Sequence, residues 1–371
     1  MKYYIIAGEA SGDLHGSNLM AAISKKDPSA EIRFWGGDLM QQTGGTLVKH
    51  YRDLSFMGFL EVVLNLKTIL NNIKICKADI SNFKPDALIF IDYPGFNMRI
   101  AKWSKQLNIK NYYYISPQIW AWKENRIAAI KRDVDKMFVI LPFEKDFYEQ
   151  KHHFPVAFVG HPLIDAIQNR QATNVTVFKQ ENKLDSRPII ALLPGSRKQE
   201  IEKMLSQMLS IVKDFPDYQF VIAGAPSQEF SFYEQFLNND QVQFVANKTY
   251  DLLSVAHAAL VTSGTATLET ALFKVPEVVL YKGSWASYQI AKRVVTLKYI
   301  SLVNLIMDQE IVTELIQNDC NYKKIKFELS KILEQSGRTK LLENYNLLET
   351  KLGGKGASEK TAELIVDDLK K

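Results

Sequence analysis

The fold and the ligand of this chain are best interpreted from one stretch, Thr262-Ser263-Gly264-Thr265-Ala266-Thr267-Leu268-Glu269-Thr270. It follows an apolar run at 258–261, typical of a buried strand, and it leads directly into a helical pattern. A strand that ends in Ser263-Gly264-Thr265 and turns into a helix presents backbone N–H groups, hydroxyls and a positive dipole end, which suit a phosphate. Glu269, one helical turn further on, can accept hydrogen bonds from ribose hydroxyls. An ordinary helix, capped by a hydroxyl of this turn, is the alternative.

A second turn of the same kind follows an apolar run at 189–193. Pro194-Gly195-Ser196-Arg197 again joins a strand to a helix start, and Arg197 adds a guanidinium that can bind a phosphate through two hydrogen bonds. Two such turns in one half are harder to attribute to helix capping than one. The sequence therefore predicts that this half binds a phosphate-bearing ligand through Gly195, Ser196, Ser263, Gly264 and Thr265.

The alternation of apolar runs predicts the fold class. With 371 residues the chain exceeds the usual size of one domain. Both halves alternate short apolar runs with amphipathic ones, the pattern of a parallel sheet covered by helices. The predicted fold is therefore α/β, with two doubly wound, Rossmann-like domains. The predicted limits are 1–165 for the amino-terminal domain, 166–187 for a polar linker, 188–350 for the carboxyl-terminal domain, and 351–371 for a final helix that returns to the amino-terminal domain.

Composition narrows the class of protein. Hydrophobic residues make up 46% and charged residues 23%, as in soluble globular proteins. A net charge of +5 falls short of a nucleic-acid-binding composition but suits an anionic substrate or membrane surface. Cys76 and Cys320 belong to no metal or redox spacing, so we expect reduced thiols in a cytosolic protein. We expect no signal peptide, because the sequence begins with a strand pattern, and no transmembrane helix, because it has no apolar run of about 20 residues.

Two strand ends in the amino-terminal half carry candidate functional residues. The first strand ends in Gly8-Glu9-Ala10-Ser11-Gly12-Asp13, which is neither the dinucleotide fingerprint nor a P-loop. Open parallel sheets bind ligands at this edge, which favours substrate binding by Ser11, Gly12 and Asp13 over a purely structural turn. Asp92 directly follows the apolar run at 87–91, where a carboxylate can remove a proton from a hydroxyl. Capping of the next helix is the alternative for Asp92.

The stretch 54–75 is more apolar than a helix that covers one face of a sheet needs. Its large apolar residues include Phe56, Met57, Phe59, Leu60, Val63 and Leu64. Lysines follow at 67, 74 and 77. The segment is either a core helix or an interfacial segment that dips into a bilayer or holds acyl chains, and its length does not discriminate between the two.

Two further patterns have a structural and a functional interpretation. Trp120 and Trp122, after another strand end, can stack on a sugar or pack, and packing is favoured. Asp133-Val134-Asp135 matches the Asp-x-Asp pattern of metal-dependent sugar transferases. Its position between Arg132 and Lys136 favours ion pairs instead, so no metal site is predicted.

Six motifs together resemble the lipid-A-disaccharide synthase family, sugar-nucleotide glycosyltransferases with the two-domain GT-B architecture. They are Gly8–Asp13, Ser116–Trp122, Leu141–Glu144, Gly160–Leu163, Leu193–Arg197 and Ser263–Glu269, and the resemblance covers nearly the whole chain. The loop at 301–310 departs from the pattern, since the family usually has a proline before Asn304 and a Gly-Arg pair near Asp308. Asn304 itself is kept, so the resemblance still implies a substrate-binding role for it on the nucleotide side, in a loop of different shape.

The resemblance implies a reaction. Such enzymes join a UDP-linked 2,3-diacylglucosamine to 2,3-diacylglucosamine 1-phosphate, which forms the β-1,6 lipid A disaccharide 1-phosphate and releases UDP. The carboxyl-terminal half would hold the UDP-sugar donor, the amino-terminal half the acylated acceptor, and the reaction would occur in the cleft between them. In the inverting displacement, Asp92 or a neighbour would deprotonate the acceptor, while Arg197 and the helix start at 263–265 would stabilise the departing diphosphate. His161 either assists or packs at the hinge.

The remaining expectations concern partners and location. The resemblance implies no metal and no cofactor, and a cytoplasmic protein attached peripherally to the inner membrane of a Gram-negative bacterium. No nucleic-acid partner is expected, and the oligomeric state is left open, with a homodimer among the options. Two alternatives stay in view: a non-hydrolysing UDP-sugar 2-epimerase, which would not need the apolar stretch at 54–75, and a non-catalytic lipid or nucleotide carrier.

Overall fold

The computed structural model describes residues 1–54, 66–226, 228–237, 241–283 and 297–371. They form two compact units: an amino-terminal unit of Met1–Gln168 with Leu352–Lys371, and a carboxyl-terminal unit of Asn169–Lys351. Each unit has one parallel sheet with helices, which confirms the predicted α/β class with two doubly wound, Rossmann-like domains. Residues 55–65, the most apolar part of the stretch 54–75, lie outside the described residues.

The amino-terminal unit is built on a seven-stranded sheet of order β3-β2-β1-β4-β5-β6-β7. Its strands are β1 (Lys2–Ala7), β2 (Glu31–Gly36), β3 (Thr46–His50), β4 (Ala87–Ile91), β5 (Lys110–Tyr114), β6 (Lys136–Val139) and β7 (Ala157–Phe158). Its helices before the linker region are α1 (Ala10–Lys26), α2 (Asp38–Thr43), α3 (Leu66–Phe83), α4 (Pro94–Lys105), α5 (Ile127–Asp133), α6 (Pro142–Asp146) and α7 (Pro162–Gln168). Every residue of β4 is buried, as expected for a central strand covered on both faces.

The C-terminal helix, Ala357–Leu369, returns to the amino-terminal unit, as the sequence predicted. It packs against α1 and contributes Ala362, Ile365 and Val366 to the core on that side of the sheet. Polar contacts fix its two ends. The Asp165 carboxylate accepts hydrogen bonds from the N–H groups of Gly356 (2.6 Å) and Ser358 (3.1 Å), and Lys136 Nζ lies 2.6 Å from Asp368.

The carboxyl-terminal unit has a six-stranded sheet of order β10-β9-β8-β11-β12-β13. Its strands are β8 (Ile189–Leu193), β9 (Gln219–Gly224), β10 (Val242–Ala246), β11 (Ala256–Thr262), β12 (Glu277–Tyr281) and β13 (Glu314–Ile316). Its helices are α8 (Val175–Glu181), α9 (Lys198–Leu209), α10 (Phe230–Tyr233), α11 (Thr249–Val255), α12 (Thr265–Leu272), α13 (Leu302–Met307), α14 (Tyr322–Leu333) and α15 (Gln335–Lys351). Helix α8 lies in the stretch predicted as a linker, and its Phe178 is buried in the core of this unit.

The strand orders place one topological switch point in each unit. It lies between β1 and β4 in the amino-terminal unit and between β8 and β11 in the carboxyl-terminal unit. Ligands of open α/β sheets bind outside the carboxyl ends of the strands at such points. The turns selected from the sequence follow these four strands.

Candidate functional site

The two predicted phosphate turns lie side by side in the carboxyl-terminal unit. Strands β8 and β11 are hydrogen-bonded neighbours, with Leu193 opposite Val261 at their carboxyl ends. Gly195-Ser196-Arg197 follows the first strand and Ser263-Gly264-Thr265 follows the second. Two helix starts, those of α9 and α12, therefore meet at one edge of the sheet. This arrangement concentrates backbone N–H groups and positive dipole ends at one place, as a phosphate site requires.

The first turn depends on Gly195 and exposes Arg197. Gly195 has a φ of +102°, a left-handed backbone conformation that favours glycine. The Ser196 N–H donates a hydrogen bond to Oε2 of Glu200 (3.3 Å). Arg197 occupies the N-cap position of α9 with its side chain exposed. No group in the described ranges forms a hydrogen bond or ion pair with its guanidinium, which therefore stays available to an anionic ligand.

The second turn starts α12 without a side-chain cap. Gly264 occupies the N-cap position, and neither Ser263 nor Thr265 caps the helix, so the alternative of an ordinary hydroxyl-capped helix does not hold. Ser263 instead uses its hydroxyl to donate a hydrogen bond to the carbonyl of Ile300 (2.9 Å). Gly264 and Thr265 are exposed. The uncapped N–H groups at this helix start can bind an anion.

Glu269 lies on α12 and has a partner that the sequence did not reveal. The hydroxyl of Tyr250, on α11, donates a hydrogen bond of 2.8 Å to Oε1 of Glu269. Burial raises the pKa of Glu269, and this hydrogen bond opposes the rise. Tyr250 therefore orients the carboxylate predicted to bind a ribose. No local pattern marks Tyr250, because its contact with Glu269 joins two different helices.

Asn304 is placed differently from the prediction. Its side chain is fully buried, and the chain itself occupies all of its hydrogen-bonding positions. Oδ1 accepts from the N–H groups of Ile311 (2.7 Å) and Val312 (3.0 Å). Nδ2 donates to the carbonyl of Val312 (2.8 Å) and to Glu314 (2.9 Å). In this structure Asn304 therefore organises its loop and has no group left for a ligand.

Asp92 lies at the switch point of the amino-terminal unit, in a strained turn. Asp92 (φ +45°) and Tyr93 (φ +49°) both have left-handed backbone conformations, which are costly for such residues. The backbone carbonyl of Asp92 accepts hydrogen bonds from the Tyr113 hydroxyl and from Asn97 Nδ2, each 2.7 Å long. Tyr93, not Asp92, is the N-cap residue of α4. The capping alternative for Asp92 is therefore wrong.

The surroundings of Asp92 shift its pKa toward that of a base. Burial, and then the charge of Glu9, raise the pKa of Asp92 to about 6, while a hydrogen bond from the Tyr93 N–H opposes the rise. Glu9 and Asp92 follow neighbouring strands, since Ala7 of β1 lies opposite Ile91 of β4. A carboxylate with a pKa near 6 is ionised at neutral pH and more basic than an ordinary aspartate.

The turn after β1 has a more structural role than predicted. Asp13 is buried, and its carboxylate accepts hydrogen bonds from the N–H groups of Gly37 (2.7 Å), Leu39 (3.1 Å) and Met40 (3.0 Å) at the start of α2. The prediction of a substrate-binding Asp13 is therefore not supported, because its oxygens serve helix α2. Gly12 is buried as well, at the packing contact between α1 and β1. Of the three predicted residues in this turn, only Ser11 is exposed.

His161 occupies a packing position. Its ring is buried, and its Nδ1 accepts a hydrogen bond from the Leu163 N–H (3.2 Å). The backbone N–H of His161 donates a hydrogen bond to the carbonyl of Leu352 (3.1 Å). Burial, with a smaller effect of His15, lowers the pKa of His161 to about 3. The imidazole is therefore neutral at physiological pH. Its contacts favour the packing role where the chain enters the C-terminal segment over the role in catalysis.

Glu144 joins the motifs Ser116–Trp122 and Leu141–Glu144 through contacts that the sequence did not indicate. Its buried carboxylate accepts hydrogen bonds from Ser116 Oγ (2.6 Å), Trp120 Nε1 (3.1 Å) and the N–H groups of Ile140 (3.1 Å) and Leu141 (2.9 Å). It thereby ties together the loops that follow β5 and β6. Trp120 is held by this contact, which supports the packing interpretation of that residue.

Two further expectations concern metal ions and membrane-spanning helices. Asp133 pairs with Arg132, and Asp135 pairs with Lys105 and accepts from the Asn111 N–H, so the Asp-x-Asp pattern forms ion pairs. Among the residues that the structure describes, no group of three or more His, Cys, Asp or Glu side chains is arranged to hold a metal ion. No helix in the described ranges is long and apolar enough to span a membrane.

The fold is that of the GT-B class. The chain superposes on UDP-GlcNAc 2-epimerase from Neisseria meningitidis bound to UDP-GlcNAc with a TM-score of 0.72, at 14% identity, over 99% of this chain and 100% of that one. It superposes on the glycotransferase of kitacinnamycin with a TM-score of 0.65, at 12% identity, over 99% of both chains. At such low identity these likenesses define the fold class alone.

The family follows from sequence similarity. The model of the family described as lipid-A-disaccharide synthetase matches residues 3–367. Lipid-A-disaccharide synthase from Syntrophus aciditrophicus is 38% identical over 99% of this chain and 97% of its own length. The enzyme from Geobacter metallireducens is 36% identical over the same shares. The chain belongs to the lipid-A-disaccharide synthase family and is a glycosyltransferase. The epimerase and carrier alternatives are therefore not favoured.

Proposed function

We propose that this protein transfers 2,3-diacylglucosamine from UDP to the 6-hydroxyl of 2,3-diacylglucosamine 1-phosphate, forming the β-1,6 lipid A disaccharide 1-phosphate and UDP. The observation that carries the proposal is the pair of adjacent turns in the carboxyl-terminal unit, Gly195–Arg197 and Ser263–Thr265, at a switch point. One turn offers the Arg197 guanidinium, which has no partner among the residues that the structure describes, and the other an uncapped helix start. Membership of the lipid-A-disaccharide synthase family supports the choice of these two acylated sugars.

The donor binds through its diphosphate in this proposal. Arg197 and the N–H groups at the start of α12 contact the phosphate oxygens, where negative charge grows as UDP departs. Glu269, oriented by Tyr250, accepts hydrogen bonds from the ribose hydroxyls. These groups, rather than a metal ion, neutralise the leaving group. Turnover should therefore persist in the presence of a chelator.

The acceptor is activated by Asp92. Its carboxylate removes the proton of the 6-hydroxyl while that oxygen attacks C1 of the donor sugar. The bond between C1 and the phosphate oxygen breaks with its electrons, so UDP leaves and the configuration at C1 inverts. A pKa of about 6 suits this role, because the group is ionised at neutral pH and still accepts a proton well.

The amino-terminal unit also docks on the cytoplasmic face of the inner membrane in this proposal. One face of α3 is buried, with Asn72, Cys76 and Ile80. The opposite face exposes Leu70 by 50% and Ile75 by 40%. Lys67 and Lys74 are exposed on the same side of the helix. Exposed apolar side chains next to lysines suit a membrane of anionic lipid.

The experiment is a UDP-release assay with purified protein, a UDP-diacylglucosamine donor and the acceptor. Release that requires the acceptor is expected. Release, or change of the donor sugar, without acceptor would favour an epimerase, and no release at all would favour a carrier. Arg197→Ala should lower turnover by orders of magnitude, because it removes a charge-assisted contact to the leaving group. Lys203→Ala, an exposed cation on the same helix, is the control and should retain turnover.

A further inference from the structure

Glu314 stands at the start of β13, the edge strand of the carboxyl-terminal sheet. Its carboxylate accepts three hydrogen bonds, each 2.9 Å long. The donors are the N–H groups of Ile300 and Ser301 and the side-chain amide of Asn304. Charge-assisted bonds of this kind are stronger than neutral ones. The segment 300–304 is therefore held in place by one carboxylate.

Asn304 closes the other side of this arrangement. The Asn304 side chain is hydrogen-bonded to the N–H groups of Ile311 and Val312 and to the Val312 carbonyl. These bonds join the beginning of the loop to its end. All four hydrogen-bonding positions of its amide are occupied. A polar network whose members are all paired makes a loop rigid.

The held segment contacts the donor turn through a hydrogen bond. The carbonyl of Ile300 accepts a hydrogen bond from Ser263 Oγ (2.9 Å), and the N–H of the same residue is the one bound to Glu314. The Ser263 N–H is fixed separately, by the carbonyl of Leu280 (3.1 Å). The orientation of the Ser263 side chain, directly before the uncapped start of α12, therefore depends on where Glu314 holds Ile300.

We propose that Glu314 is a positioning residue of the donor site, which acts through Ile300 and Ser263 on the turn that binds the diphosphate. The inference rests on the proposed function, because it assumes that this turn binds the nucleotide. No local sequence pattern indicated this role for Glu314, because its partners lie 10 to 14 positions away in sequence.

The direct test is the affinity for UDP, measured by titration calorimetry on the full chain. In Glu314→Gln an NH2 group replaces one oxygen, and it faces N–H donors instead of accepting from them. We expect the Kd for UDP and the KM for the donor to rise about tenfold, with the KM for the acceptor within about twofold of its original value. Glu310→Gln removes an exposed carboxylate from the same loop and should change neither constant.

The outcomes separate the two claims. A wild-type protein that does not bind UDP contradicts the proposed donor site itself. A wild-type protein that binds UDP, together with a folded Glu314→Gln variant of unchanged affinity, contradicts the positioning role alone. Glu314→Asp is measured in parallel, because it keeps the charge but is too short to hold all three donors. A folded Glu314→Asp variant with unchanged affinity also contradicts the role.

A double-mutant cycle tests whether Glu314 acts through Ser263. Ser263→Ala removes the bond to Ile300, whereas Ser263→Thr retains a hydroxyl and should keep most of the affinity. If both residues act along one path, Ser263→Ala combined with Glu314→Gln should weaken UDP binding by little more than either change alone. Full additivity of the two effects would show that Glu314 does not act through Ser263 and would overturn the inference.

Discussion

At the scale of single residues, Asp92 shows how burial, charge and backbone strain act on one carboxylate. Burial and Glu9 raise its pKa, and the Tyr93 N–H opposes them. The left-handed turn at 92–93 is kept in place by hydrogen bonds from Tyr113 and Asn97 to the Asp92 carbonyl. Strain of this kind persists only where the surrounding structure supports it, and it is frequent at active sites. These contacts hold Asp92 as a base would need to be held.

The first prediction concerns the pH dependence of turnover. Because Asp92 acts as a base only when ionised, kcat/KM should fall as the pH drops through about 6. Glu9→Gln removes a negative charge that raises this pKa, so the acid limb should move to lower pH. The pH profile of kcat/KM measures the shift. Glu31→Gln, which changes an exposed carboxylate of the same unit, should leave the limb in place. An acid limb at the same pH in Glu9→Gln would contradict the coupling.

Glu277 is a buried acid with no hydrogen-bond partner for its carboxylate among the described residues. It stands at the start of β12 with no exposed surface, and within the described part of the chain neither carboxylate oxygen has a hydrogen-bond partner. The buried hydroxyl of Tyr345 lies close enough to Glu277 for the two residues to interact. Burial raises the pKa of Glu277 well above its usual value. The folded protein therefore favours the protonated form of this carboxyl more strongly than the unfolded chain does.

The second prediction follows from that difference. When the pH lies below the pKa of the carboxyl in the unfolded chain, the raised pKa in the folded protein costs no stability. As the pH rises from the pKa of the unfolded chain toward that of the folded protein, the free energy of unfolding falls. Glu277→Gln cannot ionise, so the variant should be more stable than the wild type at neutral and alkaline pH and should lose less stability as the pH rises. Urea unfolding across the pH range measures this, with the exposed Glu334→Gln as control. Parallel pH curves for Glu277→Gln and the wild type would exclude the effect.

At the scale of elements, the strand-to-helix turns could be predicted from the sequence, but the side-chain contacts that hold them in place could not. The turns at 195–197 and 263–265 are local patterns, and the structure places them where the sequence indicated. Tyr250 and Glu314 act across elements, so nothing near them in sequence reveals their partners. Asp13 shows the opposite error: a carboxylate beside a glycine turn has the same local pattern whether it binds a ligand or caps a helix that starts 25 residues later.

Helix α3 carries the third prediction. Leu70→Ser with Ile75→Ser should reduce sedimentation with anionic vesicles and slow turnover of long-chain substrates, because it removes exposed apolar side chains that would enter the bilayer. Turnover of a soluble short-chain analogue and the melting temperature should stay near those of the wild type.

A matched control exists in the same unit. Leu39 and Leu107 are exposed by 41% and 50%, close to the values for Ile75 and Leu70. Leu39→Ser with Leu107→Ser should therefore sediment like the wild type. Equal losses in the two double variants, or no loss in either, would rule out α3 as the docking surface.

At the scale of the whole molecule, the chain consists of two units of similar design with different chemistry at their switch points. The amino-terminal unit presents a carboxylate with a raised pKa, and the carboxyl-terminal unit presents Arg197 and two helix starts that suit an anion. The alternating pattern predicted this architecture because buried parallel strands are nearly continuous apolar runs. The substrate-binding role of Ser11 stays a prediction, supported by the exposure of its side chain.

The most direct test of the central claim is the identity of the product made from one defined donor and one defined acceptor. Mass spectrometry, with NMR of the linkage, should find a tetraacyl disaccharide 1-phosphate joined β-1,6, with one UDP released per disaccharide. That result would establish transfer with inversion at C1. An epimerised UDP-sugar without disaccharide, or an α-linked product, would contradict the account.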